Sequence, residues 1–282
     1  MPIGFVSRLT RVGFLAVVGI VCVSPAATQA ADGWPSEVKA VYDVNFGGIN
    51  VGSYEFNSTQ EGHSYKLSSN AHLSLLLGAL RWTGATEATG KLAGDTAKPQ
   101  KFGFEYKAQS KVGSTHMSFT DDTVTQVLHT PPPKFKEGFI PVQTQHLKGV
   151  LDPLSAVLAI SRGTTGNPCS RRIPIYDGTQ RFDLVLSPKG QVPVEDSKPS
   201  GQPTAGYVCR VRYVPIAGYK PDESTNFLAH NTDIEIVLRP LPSANIFVPY
   251  KVTVPTMAGN AVLVARRVNV VTTGQQQIAL VN

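Results

Sequence analysis

The sequence predicts a mainly β protein. It reads as one large curved antiparallel sheet of about twelve strands, an unclosed barrel or β-spiral, wrapped around one central helix near 152–161. Three observations predict it. Apolar and polar residues alternate with period two along much of the chain, as in strands with one buried face. Gly, Asp and Asn interrupt the alternation at hairpin spacing. Only the stretch from Leu151 to Ile160 carries a firm helical pattern.

In the first strand, Val38, Ala40, Tyr42, Val44 and Phe46 share a face, and Gly47-Gly48 turns into a partner at 49–57. After a second turn at Glu61-Gly62, residues 65–75 alternate along a long strand. Leu75 to Trp82 then loses alternation. It is expected either to plug one end of the barrel or to line a cavity mouth. Strand patterns resume at 83–93, 101–109, 113–119 and 123–129. Phe102, Phe104 and Tyr106 form a stripe that reads as core. Asp121-Asp122 reads as a solvated hairpin turn rather than a catalytic pair, because Asp favours turns.

Pro131-Pro132-Pro133 ends this meander, and a Pro-rich loop delivers the chain to the helix. Asp152 suits the N-cap and Pro153 the first turn, where no backbone N–H is needed. Leu154, Val157 and Leu158 fall on one face, and the small Ala156 and Ala159 leave little polar surface, so the helix is expected to be buried. Beyond it, Ile173, Ile175 and the pair Asp177-Gly178 indicate a strand entering a tight hairpin, with Phe182, Leu184 and Leu186 on the return. Arg171-Arg172 reads as a solvated edge. Residues 188–206 read as a polar surface loop and 215–231 as irregular. The last strands are expected at 207–213, 233–238, 246–254 and 262–271.

Residues 1–30 read as a secretory signal: Arg8 and Arg11 form the basic start, an apolar stretch follows, and Thr28-Gln29-Ala30 offers a cleavage site. This leaves residues 31–282 as a single β domain with no later stretch apolar enough to span a membrane. Cys22 would leave with the signal. Cys169 and Cys209 remain, an even pair expected to form a disulfide in an oxidising compartment.

Losing Arg8 and Arg11 lowers the formal charge from +6 to +4. So mild and dispersed a charge, together with a periplasmic address, argues against nucleic acid. It gives only weak attraction to an anionic membrane.

Chemistry-bearing motifs are sparse. Six histidines occur without metal-ligand spacing, and no cofactor or metal is expected. There is no G-x-S-x-G elbow. Ser36-Glu37-Val38-Lys39 matches S-x-x-K, but it leads a strand rather than starting a helix. The chain is therefore expected not to be an enzyme. Leu75, Leu77, Trp82, Leu154, Val157 and Leu158 stand as candidate apolar-ligand or plug residues.

Three stretches carry a family resemblance: Val41-Tyr42-Asp43-Val44 with Gly47-Gly48-Ile49-Asn50-Val51-Gly52, Leu151-Asp152-Pro153-Leu154-Ser155-Ala156, and Ile173-Pro174-Ile175-Tyr176-Asp177-Gly178. They resemble the motifs of a group of exported bacterial proteins catalogued as domain of unknown function 3108. The layout is similar to periplasmic β-spiral envelope-integrity proteins, and more remotely to the unclosed barrels of lipoprotein carriers. The resemblance implies an envelope role and a curved sheet around a helix, and it implies no catalytic residue. Two functions follow as expectations. One is a binding or scaffolding module with envelope proteins as partners. The other is a carrier or sensor of a lipid or acyl chain held between sheet and helix.

Overall fold

The computed structural model describes residues 34–75, 78–94, 96–135, 137–163 and 166–282. The expected signal segment and Leu77 lie outside these residues. Seven strands open the fold: β1 (Glu37–Phe46), β2 (Ile49–Glu61), β3 (Ser64–Leu75), β4 (Leu80–Ala93), β5 (Thr96–Ala108), β6 (Lys111–Thr120) and β7 (Thr123–Thr130). Helix α1 (Pro153–Ser161) separates them from β8 (Arg171–Tyr176), β9 (Arg181–Pro193) and β10 (Ala205–Ala217). Helix α2 (Glu223–His230) leads to β11 (Glu235–Leu241), β12 (Ile246–Thr256), β13 (Gly259–Val271) and β14 (Gln277–Val281).

Among the described residues these fourteen strands form one antiparallel sheet, rather than the twelve or so expected from the sequence. Its order is β7-β6-β5-β4-β3-β2-β1-β13-β12-β11-β10-β9-β8. Two meanders are thus sewn together by β1 and β13, with Tyr42 opposite Ala265 and Val44 opposite Leu263. β13 has a divided second edge. Residues 259–264 pair with β12, and residues 267–271 pair with β14.

The sheet does not close; β7 and β8 are its edges. A short non-strand segment lies between them. Lys148 bridges to Thr123 of β7, and Leu151 bridges to Ile175 of β8. The β8–β9 turn also leans on the far edge, where His129 Nε2 donates to the Gly178 carbonyl at 3.0 Å. Gly178 has φ +99°, and a Cβ there would meet the Thr115 methyl at 2.4 Å. Only glycine fits so close an approach. Asp177 accepts from the amides of Thr179 and Gln180 (2.8 and 2.6 Å), so the pair both makes the hairpin and seats it against β6 and β7.

Alternating strand direction sorts the turns to two ends. The β1–β2, β3–β4, β5–β6, β8–β9 and β12–β13 turns share one end with α2. The β2–β3, β4–β5, β6–β7, β9–β10 and β11–β12 turns share the other.

Helix α1 lies inside the curve. Asp152 caps it, accepting from the amides of Leu154 (3.0 Å) and Ser155 (2.9 Å). Leu154 and Leu158 join a core cluster with Val38, Phe56, Leu67 and Phe102 from the first meander. Ala156 and Ile160 join a second cluster with Ile173, Leu186, Val211 and Ile236 from the other. Being apolar on both sides, the helix fills the space between the two halves, which explains its weak amphipathic pattern.

Three expectations need correction. Arg172 is exposed on the edge strand β8, as expected, but Arg171 is not a solvated charge. Arg171 reaches back to the C-terminus of α1 and donates to the carbonyls of Ala159 (2.7 Å), Ile160 (3.1 Å) and Arg162 (2.8 Å). It satisfies orphan carbonyls and complements the helix dipole. Arg172 pairs with the buried Asp183 at 2.5 Å.

Residues 188–206 are not all loop, because β9 runs to Pro193 and β10 starts at Ala205. The remaining 194–204 segment is held down: Ser197 N–H donates to Val281 of β14 at 2.7 Å, and Asp196 pairs with the buried Arg239 of β11. This cover buries β11 on both faces, so β11 does not alternate.

The irregular 215–231 region contains α2, capped by Asp222, which accepts from the Thr225 amide at 2.9 Å. Its polar sequence lacks the apolar stripe that signals a helix. Leu75 and Leu80 pair at the end of the β3–β4 hairpin, and Leu75 and Trp82 are half-buried there. Trp82 meets Phe104 on its own sheet at 6.4 Å between ring centroids.

Candidate apolar-ligand site

The two meanders meet over α1 without filling the space between them. An apolar cavity of 360 Å³ remains. Its floor is Val157 and Ile160 of α1. One wall is Tyr42 of β1 with Tyr54 and Phe56 of β2. The other is Leu184, Leu186, Val211 and Tyr213 from β9 and β10 with Ile234 and Ile236. Leu228 of α2 and the half-buried Val252, Val254 and Leu263 stand toward the β12–β13 turn. The cavity therefore opens at the end that carries α2.

The geometry follows from local sequence. Strand alternation turns Tyr42, Tyr54 and Phe56 inward from adjacent strands, with Tyr42 directly opposite Tyr54 and their rings 6.0 Å apart. Val157 sits one position before the fully buried Leu158, so helical rotation points it at the opening while Leu158 faces packed core. Of the sequence candidates, Val157 lines the cavity, and Leu154 and Leu158 lie in the core beside it. Leu75 and Trp82 do not contribute to its wall.

Electrostatically the cavity is neutral. Burial pushes the phenols of Tyr42 and Tyr54 well above their ordinary range, and burial with the nearby Asp177 pushes Tyr213 up to about 12. All three stay protonated at neutral pH. Tyr213 donates to Gln180 Oε1 at 2.9 Å, which ties the opening to the β8–β9 turn. Glu235 touches the wall, but its carboxylate pairs with Lys189. A pocket of this size with apolar walls and a few phenols suits an uncharged hydrocarbon portion of a ligand.

Below the floor lies a buried polar chain. Tyr65 Oη donates to Ser155 Oγ at 2.7 Å, and Ser155 Oγ donates to Asp152 Oδ2 at 2.5 Å. Neither this chain nor its role was legible in the sequence, because Tyr65 lies on β3, 90 residues from Ser155. The residues resemble a relay, but all are buried, and the carboxylate spends its other oxygen capping the helix.

Desolvation raises the Asp152 pKa to about 6 despite those hydrogen bonds. A carboxyl whose folded pKa exceeds its unfolded value near 3.8 binds protons more tightly in the folded state. Its contribution to stability is then present at pH 4 and lost as pH rises through about 6. Asp152→Asn keeps an acceptor for the two amides and cannot ionise. We expect thermal unfolding from pH 4 to 7 to show wild type losing about 1–3 kcal/mol relative to Asp152→Asn.

The other chemistry-like motifs are structural. Ser36 Oγ donates to the Val271 carbonyl at 3.1 Å, and Lys39 pairs with Glu37 at 2.5 Å. Asp121 and Asp122 both take positive φ in the β6–β7 turn, and Asp122 pairs with Lys98. Among the described residues no group of three His, Cys, Asp or Glu is placed to hold a metal. No helix among them is long and apolar enough to cross a membrane.

Fold and site together define a class: an unclosed antiparallel sheet curled around a buried helix, with an apolar cavity between them. The chain belongs to the family described as protein of unknown function (DUF3108), whose model matches residues 41–266. No curated protein and no solved structure matches it.

Proposed function

We propose that this protein is a non-enzymatic carrier or sensor of an apolar ligand, a lipid or lipoprotein acyl chain, in the periplasm. The observation that carries the reading is the 360 Å³ neutral apolar cavity over α1. Left empty, a void of that size would forgo on the order of 8 kcal/mol of packing if it were sealed. That is comparable with the whole stability of a domain. Its opening toward solvent lowers the figure, and an acyl chain would restore the missing contacts. The Cys169–Cys209 disulfide supports an oxidising compartment, as does the basic, then apolar start of the chain. The scaffolding reading, an envelope-integrity module acting through protein contacts, shares that compartment but leaves the cavity without a role.

Native mass spectrometry of protein purified from its own envelope tests the reading. Copurifying lipid is expected, and its consistent absence with no uptake of a fluorescent fatty acid would sink the idea. Two substitutions sharpen it. Val157→Phe projects into the cavity and is expected to weaken fatty-acid binding at least tenfold while changing stability by less than about 1 kcal/mol. Leu158→Phe overpacks a position with no exposure and is expected to cost about 1–3 kcal/mol. If both variants lose stability equally and bind the fatty acid like wild type, the cavity is not the site.

A further inference from the structure

The apolar cavity does not end at its floor. Beside α1 lies a narrow extension of 20 Å³, and the two spaces share Tyr42, Phe56, Val157 and Pro249 in their walls. Those four side chains form a neck. The extension follows the flank of α1 past Val157 and Ser161 and ends against Trp34. Trp34 is buried, and its indole N–H donates to Ser58 Oγ at 3.3 Å, which holds the ring in place.

Local sequence makes the extension. Val38, Ala40 and Tyr42 are successive inward positions of β1. Ala40 lies directly opposite Phe56 of β2, and Tyr42 opposite Tyr54. A small residue between two larger ones leaves a gap behind the rings of Tyr42 and Phe56. On the helix, Ser161 follows Val157 by four residues, so the same face is small there too.

These dimensions select a ligand shape. A methylene needs the room of a water molecule, roughly 30 Å³. At that size the 360 Å³ cavity holds about twelve, which is one chain of medium length and not two. An isolated space of about 10–15 Å³ already holds one such group, so the 20 Å³ extension takes a single methyl and no ring or branch. Among the described residues no cationic side chain lines either space. A charged head would find no partner inside and stays at the mouth.

We propose that the cavity takes one unbranched acyl chain, with its methyl end seated against Trp34 and its head at the α2 end, and that Phe56 and Ala40 set the length it accepts. The inference rests on the reading of the cavity as an acyl-chain site and adds orientation and length to it. Carbons up to the extension gain apolar contact. Trp34 stops a longer chain, whose extra carbons then remain in water at the mouth.

Quenching by brominated dodecanoic acids tests the seating on the mature, disulfide-bonded protein. Trp34 and Trp82 are the chain's two tryptophans, and Trp82 lines neither space. In Trp82→Phe, bromine on the last carbon should quench Trp34, whereas bromine beside the carboxyl should leave its emission unchanged. Equal quenching from both positions, or none from the chain end, would overturn the proposal. This comparison uses no substitution inside the cavity, so it decides even where a cavity variant fails to fold.

Chain length supplies the second measurement. Wild type should bind dodecanoic acid about tenfold more tightly than octanoic acid, because each buried methylene adds affinity, and hexadecanoic acid no more tightly than dodecanoic. Ala40→Val puts two methyl groups toward the extension and should shift the tightest-binding chain about two carbons shorter without lowering the melting temperature. Phe56→Leu opens the neck and should shift it about two carbons longer. Uptake with a profile that keeps rising beyond dodecanoic acid in wild type, or that neither variant moves, would overturn the length setting and leave the acyl-chain reading intact. Failure to take up any chain would overturn both.

Discussion

Arg239→Ala is expected to destabilise the fold by about 3 kcal/mol, the lower end of the cost of breaking a buried ion pair. The Arg239 side chain is 1% exposed, and Asp196 is 7% exposed. The guanidinium meets both carboxylate oxygens, with Nη2 donating to Oδ2 at 2.8 Å and Nε to the Pro203 carbonyl at 3.1 Å. Truncation leaves a carboxylate without its partner and frees the cover over β11. Glu195 and Ser197 beside Asp196 are exposed, so water can reach the orphaned carboxylate after a small movement, which keeps the cost from rising further.

Arg239 holds the Asp196 carboxyl below its usual range. A depressed folded pKa gives stability that is present above the ordinary carboxylate range and lost as pH falls through the folded value. Urea unfolding of Arg239→Ala should therefore show a lower midpoint at pH 7 and a smaller difference from wild type in strong acid. Arg239→Met with Asp196→Leu should recover most of the loss, because a buried pair replaced by apolar groups of similar volume is often neutral. If the double variant is as unstable as Arg239→Ala, the loop is held by something other than the pair.

Removing the disulfide, by Cys169→Ser with Cys209→Ser, is expected to cost about 4 kcal/mol in the chain-entropy model for a loop of this length. The two residues are 40 apart in sequence, with Cα atoms 5.1 Å apart. The bond joins the lead-in to β8 with β10, which are not neighbours in the sheet, since β9 runs between them. Both cysteines are buried in the cluster that contains Ile160, Leu186, Val211 and Ile236, and those four also wall the cavity. The double variant should lower the urea midpoint and loosen fatty-acid binding together. Non-reducing peptide mapping of periplasmic protein should find Cys169 linked to Cys209. Free thiols there would remove the basis of both expectations.

Much of this architecture was legible residue by residue. Period-two alternation located most of the strands, because each has one face toward the core and one toward solvent. Asp152-Pro153 located the start of α1, because a side-chain cap and a missing N–H act within a single turn. Asp177-Gly178 located a hairpin for an equally local reason. The sequence failed where burial is not one-sided. β11 is covered on both faces and shows no alternation. α2 is a polar helix with little apolar stripe. Arg171 and Arg239 look like solvated charges until the partners they reach are known.

What the sequence determined by itself was therefore the set of local conformations and the apolar inventory: strands, one buried helix, and two cysteines able to pair. Only the tertiary structure decided which strand meets which, since β1 and β13 lie at opposite ends of the chain and join through hydrogen bonds that leave no local mark. The same long-range closure decided that Val157 faces open space while Leu158, one residue later, faces packed core. Such properties belong to pairs of distant segments, and no window along the chain contains both members.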